Sequence, residues 1–283
     1  MGERLVRNEE VSGSIPLRST MVRRVLRSAQ DLLTIYNKRD SMRFYVPPDM
    51  IAPLKNTIEI KDKTEVHHIR DVMRLKKGDI VDIFDGQGRE FSCFIEEVKR
   101  DAVIIKIKEA LPPKYSPPFN ITLYQSIPKK TKMDFIVEKV IELGVSQIVP
   151  IITERTIPEI RDFTKKVERW KRIGMASSKQ CGRTILPVIS DVMHFDGALI
   201  DSKQKAMTVF ASLDRDSKPL KDILRGLSPK TIAVFVGPEG DFSPREVFMA
   251  KENGCSMCSL GSLVLKSETA AIYILSCLSY ELQ

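Results

Sequence analysis

Apolar runs of strand length alternate with segments of helical spacing between residue 119 and the end of the chain. The run Thr231–Val236 is almost continuous in apolar and β-branched residues, which is typical of a central strand covered on both faces. Such alternation predicts an α/β domain with a mainly parallel sheet over residues 119–283. The predicted strands are Ile121–Ser126, Ile148–Ile152, Thr208–Leu213, Thr231–Val236 and Met257–Leu260, and the predicted helices are Met133–Leu143, Lys165–Ser178, Pro244–Asn253 and Glu268–Leu282.

Short alternating strands and turns fill residues 42–110. Two apolar runs flank a turn with Asp85 and Gly86, and this pattern predicts a β-hairpin with a glycine-dependent turn. We therefore expect a small β-rich barrel or sandwich in this part of the chain. The predicted elements are the hairpin strands Ile80–Phe84 and Glu90–Ile95, the strand Ala102–Ile107 and a short helix at Glu65–Arg74.

Four prolines fall within residues 111–118, between the two patterns. Proline fits neither the interior of a helix nor a central strand, so this segment predicts an extended and rather stiff linker. The linker separates a predicted domain at 42–110 from a second one at 119–283.

Residues 1–41 differ from both domains, since they carry more basic than acidic residues and one amphipathic pattern that predicts a helix from Met21 to about Asn37. Three interpretations are open: an organellar transit peptide, an RNA-binding arm, or a stretch upstream of a true start at Met42. Three glutamates among the first ten residues argue against an acid-poor transit peptide. The strand pattern that opens directly at Met42 favours the third interpretation.

The chain holds 45 lysines and arginines against 37 aspartates and glutamates, a formal net charge of +8. This moderate excess fits a polyanionic partner such as RNA, and it equally fits an ordinary solvated basic surface. No apolar run approaches the ~20 residues that span a bilayer, and the first residues lack the apolar stretch of a secretory signal. We therefore expect a cytoplasmic protein that does not enter a membrane.

Five cysteines form an odd set without regular spacing, and a chain of this length does not need disulfides to stabilise its core. Cys255 and Cys258 make a lone CxxC, and the three histidines show no ligand-like spacing. We expect small buried packing residues and no bound metal, with a zinc or redox role as the alternative.

Gly237 and Gly240 lie in the loop after the predicted central strand, where open α/β sheets bind ligands. Glycine lets a ligand approach the main chain closely. The loop ends at Ser243, which is expected to begin a helix through a capping box with Glu246. A tight strand-to-helix turn without a ligand is the alternative, and neither a P-loop nor a GxGxxG motif occurs.

A second loop of similar design follows the last predicted strand. Residues 259–271 again run from a strand through Gly261 and a short apolar turn to a helix start, with Ser267 as the expected cap. Two such loops at one end of a sheet predict a pocket. Main-chain groups and apolar side chains suit a flat heteroaromatic ligand such as adenine better than a polyphosphate.

Several motifs occur in a fixed order, namely KMDFIVEKVIELG at 132–144, Arg169-Trp170 followed by QCGR at 180–183, GPEG at 237–240 and LGSLVLKSETAA at 260–271. With this set the chain, from about Met42 onward, resembles the bacterial family of small-subunit ribosomal RNA uridine-N3 methyltransferases, in the SPOUT superfamily. The resemblance implies an α/β, trefoil-knotted SPOUT domain with a mainly parallel sheet, preceded by a small β-rich PUA-like RNA-binding barrel. It also implies S-adenosylmethionine as cofactor and a homodimer.

By position, the resemblance implies that loops 211–213, 236–241 and 260–266 hold the cofactor. The family commonly has glycine where this chain has Asp241, which is expected to alter the flexibility of its loop. It commonly has arginines near Leu263 and Lys266; the lysine keeps a cation without the bidentate fork of arginine. The implied cofactor-binding residues are Ser212, Leu213, Val236, Gly237, Pro238, Glu239, Gly240, Leu260, Gly261, Ser262 and Leu265.

The implied reaction moves the sulfonium methyl group to N3 of a uridine in 16S rRNA. The protein must then hold N3 in line with the methyl group and favour loss of the imide proton. A nearby cation would stabilise the charge left on the uracil ring, and Arg183 and Lys266 are the candidates. Glu268 is either a base or part of the helix start, and Glu239 either faces the cofactor or supports its own loop.

N3 lies on the pairing edge of uracil, so the base must be unpaired or turned out before it reacts. RNA contacts are therefore expected around the pocket and on the small domain. Two other functions are open: a SPOUT methyltransferase that acts on another RNA such as a tRNA, and a non-catalytic RNA-binding ribosome assembly factor. The candidate phosphate contacts are Arg43, Arg70, Arg74, Lys76, Lys77, Lys129, Lys130, Lys132 and Arg155.

Overall fold

The computed structural model describes residues 42–51, 56–112, 118–156 and 162–282. The helix predicted at Met21–Asn37 lies outside these ranges, as does the middle of the predicted linker. The interpretations of residues 1–41 and the extended form of the linker therefore stay predictions.

The first sheet consists of β1 (Met42–Tyr45), β2 (Thr57–Ile60), β3 (Ile80–Phe84), β4 (Glu90–Val98) and β5 (Val103–Ala110). Its strand order is β1-β3-β4-β5-β2, and the pairs β3–β4, β4–β5 and β2–β5 are antiparallel. The predicted hairpin is confirmed, because β3 and β4 pair along the whole of β3. The prediction of a small β-rich domain before the α/β domain is confirmed as well.

Helix α1 (Lys63–His67) begins at Asp62, whose carboxylate accepts two main-chain hydrogen bonds from the first turn. A π-helical turn, His68–Val72, continues it. The predicted end of this helix at Arg74 is wrong, because Arg74 has a φ of +55° and leaves the helical conformation.

The second sheet consists of β6 (Asn120–Ser126), β7 (Gln147–Ile152), β8 (Val188–Ile189), β9 (Met193–His194), β10 (Met207–Ala211), β11 (Lys218–Pro219), β12 (Thr231–Val236) and β13 (Ser256–Ser259). The strand order is β11-β13-β10-β12-β6-β7-β8, with β9 also beside β7, and every pairing is parallel. Strand β12 lies in the middle, as its continuous apolar run predicts. The mainly parallel α/β domain is thus confirmed.

Helices cover both faces of this sheet: α2 (Lys132–Glu142), α3 (Thr164–Cys181), α4 (Phe195–Ser202), α5 (Leu220–Leu224), α6 (Pro244–Glu252) and α7 (Ser267–Leu282). In β12, Ile232 and Val234 belong to the apolar core that includes α2, α3 and α7. Ala233 and Phe235 belong to the core on the opposite face, with α4 and α6. Burial on both faces explains why β12 has no polar alternation.

Two helix boundaries follow the predicted chemistry. Gly144 has a φ of +92° directly after the last turn of α2, a conformation that glycine adopts without strain. At the start of α6, the Ser243 hydroxyl accepts the N–H of Glu246, and the Glu246 carboxylate accepts the N–H of Ser243 at 2.8 Å. The predicted capping box is therefore present.

Other boundaries differ from the predictions. Strand β10 ends at Ala211, so Ser212 and Leu213 belong to the following loop and not to the strand. Helix α4 was not predicted, because Gly197 and two aspartates weaken its helical signal. Burial of Phe195 and other apolar side chains of α4 against the sheet outweighs that weak local preference.

None of the helices within the described ranges is long and apolar enough to cross a membrane. The threading of the chain through a trefoil knot is not a property of strand order, and it stays a prediction. The division into domains at 42–110 and 119–283, joined by 111–118, likewise stays a proposal, although the two sheets fall on either side of that segment.

Candidate cofactor pocket and its surroundings

A pocket lies at the carboxyl ends of three neighbouring strands, β13, β10 and β12. Because these parallel strands are adjacent, the loops that follow them meet at one edge of the sheet. The first residues of α7 close the pocket. Its lining consists of Ala211, Ser212, Leu213, Val236, Gly237, Pro238, Glu239, Asp241, Cys258, Leu260, Gly261, Leu263, Val264, Leu265, Ser267 and Ala270.

Most of the predicted cofactor residues lie on this wall, but Gly240 and Ser262 do not. The wall also includes residues that the sequence analysis did not select, such as Cys258 and Ala270. Cys258 is in a strand rather than a loop, and Ala270 lies one helical turn beyond Ser267. The spacing of three residues between Ser267 and Ala270 was an available signal for a shared helix face.

The wall is mainly apolar, and its only charged side chains among the described residues are Glu239 and Asp241. Burial raises the pKa of the Cys258 thiol to about 12, so this cysteine is an uncharged part of the wall. The same cause raises the pKa of Cys255 to about 11, which agrees with the predicted packing role for both. Within the described ranges, no three side chains of His, Cys, Asp or Glu converge on a metal site.

Ser267 connects three parts of the pocket. Its hydroxyl donates to the main-chain oxygen of Gly237 at 2.6 Å, and it accepts the side-chain amide of Gln125 at 2.9 Å. The prediction of Ser267 as a helix cap is wrong, because Ser267 is the first residue of α7 and its hydroxyl binds the neighbouring loop instead. The loop after β12 is thus fixed to α7 and to β6.

Asp241 joins the loop after β12 to the loop after β10. Its carboxylate accepts the N–H of Leu213 at 3.0 Å and the hydroxyl of Ser212 at 3.4 Å. Asp241 has a φ of +58°, which explains why glycine suits this position and which aspartate tolerates better than most residues. Its side chain therefore links the two loops.

Arg155 supports the same loop from outside. One guanidinium nitrogen donates to the main-chain oxygens of Gly240 at 2.5 Å and Phe242 at 3.2 Å. This nitrogen holds the GPEG loop, and the predicted role of Arg155 as a phosphate contact stays a prediction. Gly240 faces Arg155 rather than the pocket.

Lys132 lies between two carboxylates beside the pocket. Its ammonium group is 3.0 Å from Glu239 and 3.4 Å from Glu268, and the main-chain N–H of Lys129 also donates to Glu239. The hydrogen bond with Glu239 raises the pKa of Lys132. Lys132 thus forms ion pairs within the protein, and its role as a phosphate contact stays a prediction. Glu239 both lines the pocket and supports its loop. The role of Glu268 as a base stays a prediction.

Arg183 lies away from the pocket. Its guanidinium donates to the main-chain oxygens of Val145 at 2.7 Å, Ile141 at 3.2 Å and Ile185 at 3.2 Å, and burial lowers its pKa. Within one chain, Arg183 therefore secures the end of α2, and its catalytic role stays a prediction. Lys266 is exposed and directly precedes Ser267 on the pocket wall.

Arg43 holds the small domain against α3. Its guanidinium pairs with Glu90 at 2.7 Å, stacks over the ring of Phe84, and donates to the main-chain oxygens of Lys179 and Arg183. The charge and donors of Arg43 serve this buried junction, and its predicted role as a phosphate contact stays a prediction. Arg70 pairs with Asp71, and the exposed candidates are Arg74, Lys76, Lys77, Lys129 and Lys130.

Two family models match the α/β part and the β-rich part of the chain separately. Residues 115–279 match the family model described as "RNA methyltransferase domain", and residues 60–108 match the one described as "RNA methyltransferase PUA domain". The first model covers more than half of the chain, so the fold and the pocket are those of an RNA methyltransferase.

Relatives define the family more closely. The chain is 35% identical to ribosomal RNA small subunit methyltransferase E of Aquifex aeolicus over 76% of this chain and 90% of that protein. It is 29% identical to the Bacillus subtilis protein of the same name over 77% and 88%. The chain belongs to this family of ribosomal RNA small subunit methyltransferases E.

Two solved structures resemble the fold and contain the cofactor. A methyltransferase from Legionella pneumophila with SAM bound has a TM-score of 0.78 and 31% identity, covering 86% of this chain and 98% of that one. Ribosomal RNA small subunit methyltransferase E of Neisseria gonorrhoeae, bound to S-adenosyl methionine, has a TM-score of 0.76 and 29% identity, covering 85% and 98%.

Proposed function

We propose that this protein methylates N3 of a specific uridine in 16S rRNA of the small ribosomal subunit, with S-adenosylmethionine as the methyl donor. The observation that carries the proposal is the pocket at three neighbouring strand ends in a chain of the ribosomal RNA methyltransferase family. Membership of this family supports rRNA as substrate, and the ordered set of motifs between residues 132 and 271 supports the choice of uridine N3.

The chemistry of the wall fits S-adenosylmethionine. Val236, Leu260 and Leu265 offer apolar surface to a flat adenine ring, and the loop main chain offers hydrogen-bonding groups at its edge. Asp241 offers negative charge to a cationic ligand, whereas the charge of Glu239 is paired with Lys132. When bound, the cofactor supplies an electrophilic methyl group on a positively charged sulfur.

The protein's own contribution is to position the nucleotide and to stabilise charge. Lys266, which is exposed and directly precedes Ser267 of the wall, would stabilise the negative charge that the uracil ring carries once N3 loses its proton. Glu268 is the candidate to accept that proton, and its carboxylate lies 3.4 Å from the ammonium group of Lys132. Exposed basic residues, with Lys76 and Lys77 on the small domain, would hold the RNA backbone.

The proposal includes a cytoplasmic location and a homodimer. Leu263 and Val264 each expose 75% of their surface at the pocket edge. Two neighbouring apolar side chains of this exposure suit an interface with a second copy of the chain better than contact with water.

The decisive experiment incubates the protein with methyl-labelled S-adenosylmethionine and small subunits that lack the modification, and then analyses the rRNA nucleosides. We expect labelled 3-methyluridine in the rRNA of the small subunit. Large subunits and tRNA, incubated in the same way as controls, should acquire no label. Label in tRNA alone would mean that the enzyme acts on tRNA and not on 16S rRNA. Cofactor binding without label in any RNA would contradict the proposed reaction, and absence of a thermal shift with S-adenosylmethionine would favour a non-catalytic RNA-binding factor.

A further inference from the structure

Asp241 places an uncompensated negative charge on the pocket wall. Its carboxylate accepts hydrogen bonds from Leu213 and Ser212, and no lysine or arginine of the described ranges forms an ion pair with it. The other acidic residue of the wall, Glu239, pairs with Lys132 at 3.0 Å. The charge of Asp241 is therefore the one available to a ligand on this wall.

The carboxylate is held in place before any ligand binds. The left-handed backbone at Asp241 and the N–H of Leu213 orient the side chain between the two loops. A methyl group at Gly237 would lie only 3.3 Å from Asp241 Oδ1, so the carboxylate is packed closely against the GPEG loop. A fixed charge in a partly buried site acts on a ligand more strongly than a mobile charge in water.

The reaction changes the charge of the ligand. Methyl transfer breaks the bond between sulfur and the methyl carbon, and the electron pair stays on sulfur, so the cationic sulfonium becomes a neutral thioether. The new bond joins the methyl carbon to the acceptor nitrogen of the RNA, whose proton passes to Glu268, the proposed base. S-adenosylmethionine and S-adenosylhomocysteine otherwise carry the same charged groups, so the two ligands differ in charge at the sulfur alone.

We infer that Asp241 is a specificity-determining residue that makes the pocket prefer S-adenosylmethionine over its demethylated product. Its attraction for the sulfonium disappears once the methyl group has been transferred, so the reaction itself weakens retention of the product. This inference rests on the proposed function, because it requires the pocket to be the cofactor site.

Calorimetric titration of both ligands against the wild type and two variants tests the inference. Asp241→Asn removes the charge but keeps a side-chain oxygen for the N–H of Leu213, and asparagine also tolerates a positive φ. The measured quantity is the affinity for S-adenosylmethionine divided by the affinity for S-adenosylhomocysteine. We expect this variant to lower that ratio by roughly tenfold, because S-adenosylmethionine binds more weakly. Asp241→Gly keeps the backbone conformation but loses both hydrogen bonds. We expect it to lower the same ratio and also to weaken the binding of both ligands.

Asp216→Asn is the matched control, since Asp216 is an exposed acid of a nearby loop that does not line the pocket. It should leave the affinity ratio at the wild-type value. A ratio in Asp241→Asn within twofold of the wild type, while the wild type binds S-adenosylmethionine, would overturn the inference and leave the proposed function intact. Failure of the wild type to bind either ligand would instead overturn both.

Discussion

Single polar contacts hold the loops of the pocket together. Ser267 belongs to α7, but its hydroxyl donates to the main-chain oxygen of Gly237 in the loop after β12 and accepts the side-chain amide of Gln125 in β6. Ser267 and Gln125 are both buried, so water does not replace a lost partner at either residue. A buried donor or acceptor without a partner destabilises the protein by the full free energy of its desolvation.

Replacement of Ser267 by alanine is therefore expected to lower the free energy of unfolding by about 1–3 kcal/mol and to weaken cofactor binding. Denaturant unfolding and calorimetry would measure the two effects. Ser178→Ala is the control, because Ser178 is equally buried but its hydroxyl donates only to Gly174 within α3. Unchanged cofactor affinity in Ser267→Ala would show that the hydroxyl does not shape the pocket.

The position of the pocket loops could be predicted from the sequence, whereas the internal contacts of several charged residues could not. Glycines after a buried strand are a local signal, and they correctly located Gly237 on the wall. Arg43 and Arg183 each donate to at least two main-chain oxygens that lie more than 30 positions away in the sequence. No local pattern distinguishes an arginine that binds such oxygens from one that faces RNA.

Two elements of the structure meet at the turn of the β3–β4 hairpin. The main chain of Gly88 donates to Thr184 at 3.1 Å, and Leu186 donates to Gly86 at 3.0 Å. Gly86 has a φ of +74°, and a methyl group there would lie 2.8 Å from a side-chain carbon of Leu186. The turn thus requires glycine for its backbone angle and for the close approach of the segment after α3.

Gly86→Ala should consequently destabilise the protein more than Gly226→Ala, and thermal or denaturant unfolding would compare them. Gly226 has a nearly identical φ of +72° with nothing within 4 Å, so its variant measures backbone strain alone, about 1–2 kcal/mol. Gly86→Ala adds steric overlap of about 1–3 kcal/mol. Equal losses of stability in the two variants would mean that the turn does not need its close contact.

Periodic elements were predictable, whereas elements held by tertiary contacts were not. Strand β12 matches its prediction at both ends, and α2 is displaced by one residue, since both have strong apolar patterns. Helix α4 and strand β2 were missed because α4 contains poor helix formers and β2 has only four residues. Their positions depend on the sheets they pack against.

At the scale of the whole molecule, the net charge is +8. Some of the basic residues make contacts within the protein, and others are exposed on the surface. Arg43, Arg183 and Lys132 make ion pairs or hydrogen bonds within the protein. Lys76 and Lys77 are exposed on the small domain, and they are therefore better candidates for RNA phosphates. Each phosphate contact by a cation releases a counterion, so binding should weaken as salt rises.

The double variant Lys76→Ala/Lys77→Ala should bind its RNA more weakly and with less dependence on salt. The slope of log affinity against log salt should fall by about 0.7 for each lost contact with single-stranded RNA. Fluorescence anisotropy at several salt concentrations would measure it. Lys171→Ala/Arg172→Ala on the exposed side of α3 removes the same charge, and an equal change of slope there would exclude a local contact by the first pair.

The contact between Ser267 and Gly237 has a consequence for protein synthesis. The loop after β12 and its partner in α7 are 30 positions apart, and Gln125 lies 142 positions before Ser267. Strands β6 and β12 are therefore synthesised well before the residue that ties their ends together at the pocket. During translation the pocket wall stays incomplete until the first turn of α7 has been made.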